Sequence, residues 1–313
     1  MALLNVMGSP SAEPVQIPTI WWDIPGVVWG FPSPSSASVA GKETLAMQKT
    51  PLKDVGSTQI VTFPHLTVPH GCSTRVGGVS EAPFESLNMG FTVADDPAAV
   101  WENRHRFAAC LGQDNLTWFL SMTHGKEVAR IDERPAMPER RDTAPRPLYP
   151  ADACVTNVPG IPLNLTVADC VPVFFHDPRT RCIGLAHAGW RGTVAGIVSE
   201  TVQAMSRFYG SNPEDVLVGV GPSIGPEKFE VGPEVVSEFR QAFPHNPELI
   251  VAGAEGKALI DLWRANSLMA LRAGVPERNI VVSGWCTVSY PELFFSHRRD
   301  HGRTGRLLAG IIL

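Results

Sequence analysis

The stretch CIGLAHAGWRGTVAGI, residues 182–197, joins an apolar run, a histidine, two glycines and an arginine. The apolar run before His187 is typical of a buried β-strand, and the pattern from Gly192 to Tyr209 has the 3.6-residue period of a helix. His187 therefore lies where a strand ends, and Gly189 permits a tight turn into the helix. This stretch predicts a strand–turn–helix unit of an α/β domain, with a chemically active side chain at the turn.

Strand and helix patterns alternate irregularly along the rest of the chain. Asp96 and Pro97 are typical of the first residues of a helix, and Gly112 is typical of a helix end. The irregular order favours an α/β fold with a single mixed-sheet domain over a regular Rossmann arrangement. Apolar runs predict strands at 59–63, 117–122, 152–158, 163–176 (one or two strands), 182–187, 215–221, 279–284 and 306–313, and helices at 96–112, 192–209, 233–243 and 258–273.

Residues 1–58 differ from the rest of the chain and are interpreted as an N-terminal extension and linker, followed by one domain at 59–313. The tryptophan-rich stretch IPTIWWDIPGVVWGFPSP (17–34) is interrupted by Asp23 and by prolines, whereas a membrane helix needs roughly 20 consecutive apolar residues. No basic segment precedes this stretch, so a secretory signal is not expected. We expect a poorly ordered extension whose tryptophans pack locally or onto the domain.

The composition indicates a globular protein of a cytoplasmic-type compartment, in which local basic clusters can still bind small anions. The chain has 313 residues, 44% of them hydrophobic and 18% charged, which is enough apolar material for a core. The net charge of −5 argues against a nucleic-acid-binding protein, which normally carries a basic excess. The six cysteines form no CxxC pair, which is typical of reduced thiols in the cytoplasm. We expect a monomer with no nucleic-acid or membrane partner.

Three residues at the edges of apolar runs form a candidate metal site: His124, Cys170 and His187. Two imidazoles and one thiolate suit zinc, and three protein ligands leave the fourth tetrahedral position for water or substrate. Two alternatives remain open. In one alternative the three side chains have only structural roles, because the gaps of 46 and 17 residues between them match no local zinc signature. In the other, Cys170 and His187 form a nucleophile–base pair.

Other residues are candidates for substrate and phosphate binding. The helix start after His187 presents backbone N–H groups to an anion, and Arg191 can add a forked donor. The alternative is a plain glycine turn with a solvated arginine. Asn88, in SLNMG, either contacts a ligand or caps its own turn. Arg104, on the predicted helix 96–112, faces either solvent or a pocket.

Two loops leave open a choice between a structural and a binding role. The run GVGPSIGPEKFEVG (219–232) is either a pocket wall lined by backbone or a long structural loop. In FFSHRRDHGRTGR (294–306), paired structural arginines are favoured over substrate contact, because apolar segments flank the run. Its arginines are Arg298, Arg299, Arg303 and Arg306.

Several motifs in a fixed order resemble those of the YfiH family. These laccase-domain proteins are known both as multicopper polyphenol oxidoreductases and as zinc-dependent purine nucleoside phosphorylases. The motifs are TRVGGVS, SLNMG, DDPAAVWENR, THGKEV, ADACVTN, TVADCVPV, AHAGWRG, GPSIGPEKFEVG, DLWRAN and FFSHRRDHGRTGR. The resemblance implies a YfiH-like fold. It implies that the zinc ligands are His124, Cys170 and His187, and that Asn88 and Arg104 line the nucleoside and phosphate pocket.

The resemblance also implies a reaction, the phosphate-dependent cleavage of purine nucleosides. Adenosine, inosine, guanosine or S-methyl-5′-thioadenosine would give the free base and the corresponding ribose 1-phosphate, with adenosine deamination as a secondary activity. Cys170 would then serve in catalysis as a metal ligand. Arg104, helped by Arg191, would offset the charge of phosphate, and Asn88 would orient the substrate.

The chain departs from the YfiH pattern at a few positions between about residue 60 and the C-terminus. Met122 and Thr123 replace the usual Gln-Val, Ser223 replaces a cysteine, and Glu227 and Lys228 replace a cysteine pair. With fewer soft ligands, zinc is favoured over copper.

Two function classes remain as alternatives. One is a copper-dependent polyphenol oxidase. The other is a non-catalytic binding module that uses the N-terminal extension and the arginine-rich loop at 133–150 as its partner surface. A cysteine hydrolase is a minor third option.

Overall fold

The computed structural model describes residues 49–114, 116, 120–134, 143–144 and 149–313, which belong to one compact unit, Ala46–Leu313. The tryptophan-rich stretch at 17–34 lies outside the described residues, as do positions 117–119 of one predicted strand and most of the loop at 133–150. The division of the chain into 1–58 and 59–313 stays a prediction.

Most strands are short, apolar and rich in β-branched residues, as the sequence pattern predicts. Their bounds, in chain order, are β1 (Leu52–Val55), β2 (Thr58–Val61), β3 (His70–Ser73), β4 (Val128–Arg130), β5 (Ala153–Thr156), β6 (Leu163–Val167), β7 (Val171–Asp177), β8 (Cys182–Ala188), β9 (Leu217–Val220), β10 (Glu230–Val231), β11 (Ile250–Ala252), β12 (Ala258–Ile260), β13 (Ile280–Val282) and β14 (Leu307–Ile311). β1 pairs antiparallel with β2, so the sheet begins inside the range that the sequence favoured as a linker.

The described strands form three sheets. An antiparallel sheet has the order β1-β2-β3-β14-β6, and a smaller one has the order β10-β12-β11. The third sheet, β13-β9-β7-β8-β5-β4, is mixed, because β4 runs parallel to β5 and β13 runs parallel to β9. The mixed α/β class predicted from the sequence is confirmed.

The chain passes between the antiparallel sheet and the mixed sheet at the turn that joins β6 to β7. The segment 163–176 forms two strands, which belong to the antiparallel and the mixed sheet respectively. Asp169, in the turn between them, has a left-handed backbone with φ +85°. This turn carries the chain from one sheet to the other, and Cys170 lies on it.

Helices cover the outer faces of the sheets. They are α1 (Pro97–Cys110), α2 (Trp190–Ala195), α3 (Ile197–Tyr209), α4 (Pro233–Ala242) and α5 (Leu262–Arg272). The Asp96 side chain accepts a hydrogen bond from the Ala98 backbone N–H, which confirms the predicted start of α1. None of the described helices has the length and the apolar character needed to cross a membrane.

Two predicted helices differ from the structure. The helix predicted at 192–209 is divided into α2 and α3 at Gly196, whose φ of +88° is left-handed and favours a residue without Cβ. The helix predicted at 258–273 begins only at Leu262, because Asp261 accepts a hydrogen bond from the backbone N–H of Arg264 and caps it. The residues just before that cap form β12 instead.

The core fills the spaces between four layers. On one side of the mixed sheet, α3 and α5 pack against apolar residues such as Val173 and Ala186. The other side, with Phe174 and Leu185, packs on the antiparallel sheet. α1 covers the far face of that sheet through Phe107. Both large sheets are thus buried on two faces, and the ends of their strands frame the candidate site.

Buried histidines make the fold sensitive to acid. Burial lowers the pKa of both His70 and His176 from the ordinary value of 6.5. Below about pH 6.5 the unfolded chain therefore binds protons that the folded chain does not, and stability falls as pH decreases.

We predict that His176→Gln flattens this loss. Between about pH 6.5 and 5, the slope of the unfolding free energy should decrease by up to about 1.4 kcal/mol per pH unit, which corresponds to one proton. Urea unfolding at a series of pH values measures the slope. The exposed His245 supplies a control, His245→Gln, that should keep the wild-type slope. Equal slopes in wild type and His176→Gln would contradict the prediction.

Candidate metal centre

Side chains from three separate elements converge on one point. His124 lies in the loop before β4, Cys170 on the turn before β7, and His187 within β8. The ligand atoms of the three residues all lie within 4.8 Å of one another. His124 is exposed, Cys170 is half-buried and His187 is buried. The structure therefore brings together the three residues that the sequence pointed to as metal ligands.

Sheet register explains why residues 17 positions apart in the sequence meet. β7 and β8 form an antiparallel hairpin in which Val171 pairs with Ala188 and Pro172 pairs with His187. Cys170 directly precedes β7, so it lies beside the end of β8 that carries the histidine. The sequence gap is the length of the hairpin, and no compact local motif is needed.

A buried carboxylate, that of Asp152, holds the His124 loop against His187. Its oxygens accept hydrogen bonds from the backbone N–H groups of Thr123 (3.0 Å), His124 (2.9 Å) and Gly125 (2.8 Å). They also accept bonds from the Thr123 hydroxyl (2.9 Å) and from Nδ1 of His187 (3.0 Å). The Asp152 side chain has 0% exposure. Because Nδ1 of His187 is bound to Asp152, Nε2 is the ring nitrogen left for a metal ion.

The electrostatics of the cluster favour an anionic sulfur. Burial alone would raise the pKa of the Cys170 thiol, but the imidazoles of His187 and His124 outweigh burial and lower the pKa below its usual range. Burial opposes the charged form of His187 too, yet the Cys170 thiolate and Asp152 raise its pKa. A thiolate is the form of cysteine that binds metal ions.

The space beside the cluster is kept free by a glycine. Gly189 has an ordinary φ of −66°, so its conformation does not require glycine. A Cβ there would lie 3.0 Å from Sγ of Cys170 and 3.4 Å from Cδ2 of His124. The role of this glycine is to leave room around the three ligands, rather than only to permit the turn. The donor set and this free space together fit a bound metal ion.

The cluster forms part of the wall of a cavity of about 520 Å³. The apolar part of the wall includes Met122, Ile224 and Phe229, the last two from the loop 219–232, which thus supplies a pocket wall. Basic side chains also line it. Its complete lining is Thr92, Leu120, Ser121, Met122, His124, Thr166, Val167, Ala168, Asp169, Cys170, His187, Ile224, Phe229, His297, Arg298 and Arg306.

The structure does not bring Asn88, Arg104 or Arg191 to this wall. Arg104 is buried within the protein and donates hydrogen bonds to the carbonyl of Met89 and to Oδ1 of Asn164. Arg191 is exposed and its guanidinium stacks on the Trp190 ring at 4.3 Å. Its helix, α2, has only six residues.

Asn88 is also buried, and it bonds to backbone and to one carboxylate. Its Oδ1 accepts hydrogen bonds from the backbone N–H groups of Gly90 and Arg306, and its Nδ2 donates to Asp95. The turn-capping alternative for Asn88 is therefore what the structure shows. The bond to Arg306 connects this turn to the cavity.

The arginine-rich run 294–306 divides between two roles. Arg299 donates hydrogen bonds to the Asp300 carboxylate and to the carbonyl groups of Thr287 and Phe294, which is the favoured structural role. Arg298 and Arg306 instead line the cavity. A charge run alone does not separate the two roles, because neighbouring residues in a turn face different ways.

Sequence reasoning missed Asp152 as a functional residue. It lies in the ADACVTN motif, directly before β5, where a lone acidic residue before a buried strand was the available signal.

The structure places most of the residues at which this chain departs from the YfiH pattern. Met122 lines the cavity, and Ser223 accepts a hydrogen bond of 2.6 Å from Nε1 of Trp263. Glu227 and Lys228 are exposed.

Comparison with known proteins identifies the family of this chain. A family model described as multi-copper polyphenol oxidoreductase laccase matches residues 69–313. The chain belongs to this family. The purine nucleoside phosphorylase YlmD of Bacillus subtilis is 40% identical over 245 residues, which is 77% of this chain and 87% of that protein. The purine nucleoside phosphorylase YfiH of Escherichia coli is 36% identical over 241 residues, 77% of this chain and 92% of that protein.

Solved structures of the family share the fold. The crystal structure of the hypothetical protein YfiH of Bacillus licheniformis has a TM-score of 0.76 and 35% sequence identity, and covers 84% of this chain and 99% of that chain. YlmD of Geobacillus stearothermophilus has a TM-score of 0.75, also at 35% identity, and covers 83% and 97%. The resemblance to YfiH proteins and the YfiH-like fold are confirmed.

We predict that Asp152→Asn weakens metal binding. An amide nitrogen cannot accept the hydrogen bonds that the carboxylate receives, so the His124 loop and His187 lose their common anchor. The affinity for Zn²⁺, measured by competition with a chromophoric chelator, should decrease by about 10- to 100-fold.

The matched control for this variant is Asp177→Asn. Asp177 is also a buried carboxylate, and it accepts hydrogen bonds from the backbone of Arg179 and Thr180, within its own turn. Asp177→Asn should lower thermal stability but leave the affinity for Zn²⁺ unchanged. A folded Asp152→Asn protein with wild-type zinc affinity would show that the carboxylate does not organise the ligands.

Proposed function

We propose that this protein is a zinc-dependent purine nucleoside phosphorylase. The observation that carries the proposal is the group formed by His124, Cys170 and His187, which lies in the wall of a cavity with basic side chains. Its relatives YlmD and YfiH are named purine nucleoside phosphorylases. A cavity of about 520 Å³ is within the range of small-molecule sites.

The proposed reaction breaks the bond between the purine nitrogen and C1′ of the ribose. An oxygen of hydrogen phosphate forms a new bond to C1′, and the proton of hydrogen phosphate passes to the purine. The products are the free base and ribose 1-phosphate, or the methylthio derivative of ribose 1-phosphate from S-methyl-5′-thioadenosine, with no oxidant or reductant involved. Adenosine, inosine, guanosine and S-methyl-5′-thioadenosine are the proposed substrates, with adenosine deamination as a secondary activity.

The residues of the cavity suit the two reactants. The ring of Phe229 and the side chains of Met122 and Ile224 offer an apolar surface to the purine. The guanidinium groups of Arg298 and Arg306 offer positive charge to phosphate. When bound, zinc supplies Lewis-acid polarisation of an oxygen atom of a reactant. Asp152 keeps the two histidine ligands in place.

The donor set supports zinc over copper as the metal ion. Two imidazoles and one thiolate are three donors that would hold zinc and leave its fourth position for a reactant, as in catalytic zinc sites. A multicopper oxidase needs several metal ions. In the described part of the chain, this is the one group of three His, Cys, Asp or Glu residues with metal-binding geometry.

The description of the matching family favours one alternative function, a copper-dependent polyphenol oxidase. Loading the protein with copper distinguishes the oxidase from the phosphorylase. A copper site that oxidises phenols gives an electron paramagnetic resonance signal and a colour. Zinc-loaded protein is colourless and silent. Phenol oxidation by the copper-loaded protein in the absence of any nucleoside cleavage would favour this alternative.

We predict that Cys170→Ala abolishes phosphate-dependent cleavage. Removing the thiolate leaves two histidines on the metal, so bound zinc and the rate of adenine release should fall together, the rate by roughly 100-fold or more. Liquid chromatography of the products, with and without phosphate, and elemental analysis of the metal measure both quantities.

Another partly exposed cysteine supplies the control for this experiment. Cys110 is a half-buried thiol on α1 that does not line the cavity, so Cys110→Ala should keep wild-type zinc content and activity. The proposal fails if metal-free Cys170→Ala cleaves nucleosides at the wild-type rate. It also fails if zinc-loaded wild type releases no base from any of the four nucleosides.

A further inference from the structure

Arg306 is a cationic side chain of the cavity that has no carboxylate partner among the described residues. Arg306, just before β14, lines the cavity, and its Nη1 donates hydrogen bonds to the carbonyl oxygens of Thr304 (2.9 Å) and Gly305 (3.1 Å). Within the described ranges, Arg306 forms no ion pair with a carboxylate, and Nε and Nη2 have no hydrogen-bond partner. A guanidinium held this way has two donors left for a ligand.

The carboxylate of Asp169, which also lines the cavity, is hydrogen-bonded to other donors. It accepts hydrogen bonds from the hydroxyls of Thr287 (2.6 Å) and Ser296 (3.1 Å) and from the backbone N–H of Arg298 (2.6 Å). Asp169 therefore ties the turn before Cys170 to the arginine-rich loop, and it does not pair with Arg306.

Arg306 is placed by the SLNMG motif. Oδ1 of Asn88 accepts the backbone N–H of Arg306 at 2.8 Å, and the backbone N–H of Met89 donates to the Arg306 carbonyl at 2.9 Å. A Cβ on Gly90 would lie 2.5 Å from Cγ of Arg306. Asn88 fixes the backbone of the arginine, and the glycine leaves space for its side chain.

The charge of Arg306 makes an anion the complementary ligand. Burial lowers the pKa of Arg306, and the charges of Asp169 and Cys170 partly offset this effect. These interactions place the guanidinium within electrostatic reach of the metal-ligand thiolate. A partly buried cation gains stability from an anion that accepts its free N–H groups, and the planar fork of Nε and Nη2 fits two oxygens of a phosphate.

We propose that Arg306 binds the phosphate co-substrate through Nε and Nη2, and that Asn88 and Gly90 act as positioning residues for it. This assignment rests on the proposed function, which requires phosphate. It gives the phosphate site to the cavity wall beside Cys170, and it gives the SLNMG motif an indirect role.

The test measures binding of inorganic phosphate directly, without turnover. Isothermal titration calorimetry on the zinc-loaded protein should show phosphate affinity at least about tenfold weaker in Arg306→Gln, since a charge-assisted hydrogen-bonded pair is lost. Arg306→Lys keeps the positive charge but loses the paired donors of the guanidinium, so its phosphate affinity should lie between those of the wild type and Arg306→Gln. The control is Arg303→Gln, an exposed arginine of the same loop, which should bind phosphate as the wild type does.

A second variant tests the positioning of Arg306 rather than its charge. Gly90→Ala keeps the arginine but crowds its Cγ, so the affinity for phosphate should decrease while the affinity for Zn²⁺ stays at the wild-type value. A merely structural role would lower both affinities together. Steady-state assays, where cleavage is observed, should show a higher KM for phosphate and an unchanged KM for the nucleoside in Arg306→Gln.

The outcomes separate this inference from the proposed function. Wild-type phosphate affinity in Arg306→Gln, or an equal loss of zinc and phosphate affinity, would overturn the assignment even if nucleosides are cleaved. If Arg306→Gln loses phosphate binding alone but the wild type cleaves no nucleoside, the anion site stands and the phosphorylase proposal fails.

Discussion

The site depends on the burial of one carboxylate. Taking an ionised carboxylate out of water is costly unless its oxygens are fully hydrogen-bonded. Asp152 meets this requirement with the backbone N–H groups of three consecutive residues, a hydroxyl and the ring of His187. These bonds hold the pKa of Asp152 well below its usual range, against the effect of burial. The same bonds that keep the carboxylate charged thus hold two of the proposed metal ligands, which come from distant parts of the sequence.

The third ligand depends on sheet topology. Cys170 lies where the chain leaves the antiparallel sheet and enters the mixed sheet, and the left-handed conformation of Asp169 makes this change possible within a few residues. The carboxylate of Asp169 in turn binds the loop that carries Arg298. Two aspartates therefore organise different parts of the cavity wall. One sets the metal ligands, and the other sets the basic wall.

The sequence predicted much of the fold, and it pointed to the three residues that the structure brings together, for a physical reason. Strands buried on both faces, such as β7 and β8, have continuous apolar sequences. A polar residue at the end of such a sequence, such as His187, is therefore easy to recognise. Helix breaks were harder to predict. Gly196 divides a single amphipathic pattern, because the 3.6-residue period continues across a residue in left-handed conformation.

The roles of buried polar residues were beyond sequence reasoning. Asn88 and Arg104 stand in motifs that resemble the family's site, yet the structure buries both away from the cavity wall. Asp152 and Arg306 lie in other motifs of the same set, and only the three-dimensional contacts show which polar side chain faces the cavity and which supports a neighbour. A motif marks the region of a site, whereas side-chain direction depends on the packing of distant segments.

The most direct test of the account is anomalous diffraction at the zinc edge from crystals of the zinc-loaded protein. We expect one strong peak bonded to Sγ of Cys170, to Nε2 of His187 and to one ring nitrogen of His124, with a fourth position open to the cavity. A peak bonded to other residues, or no peak between these three side chains, would contradict it.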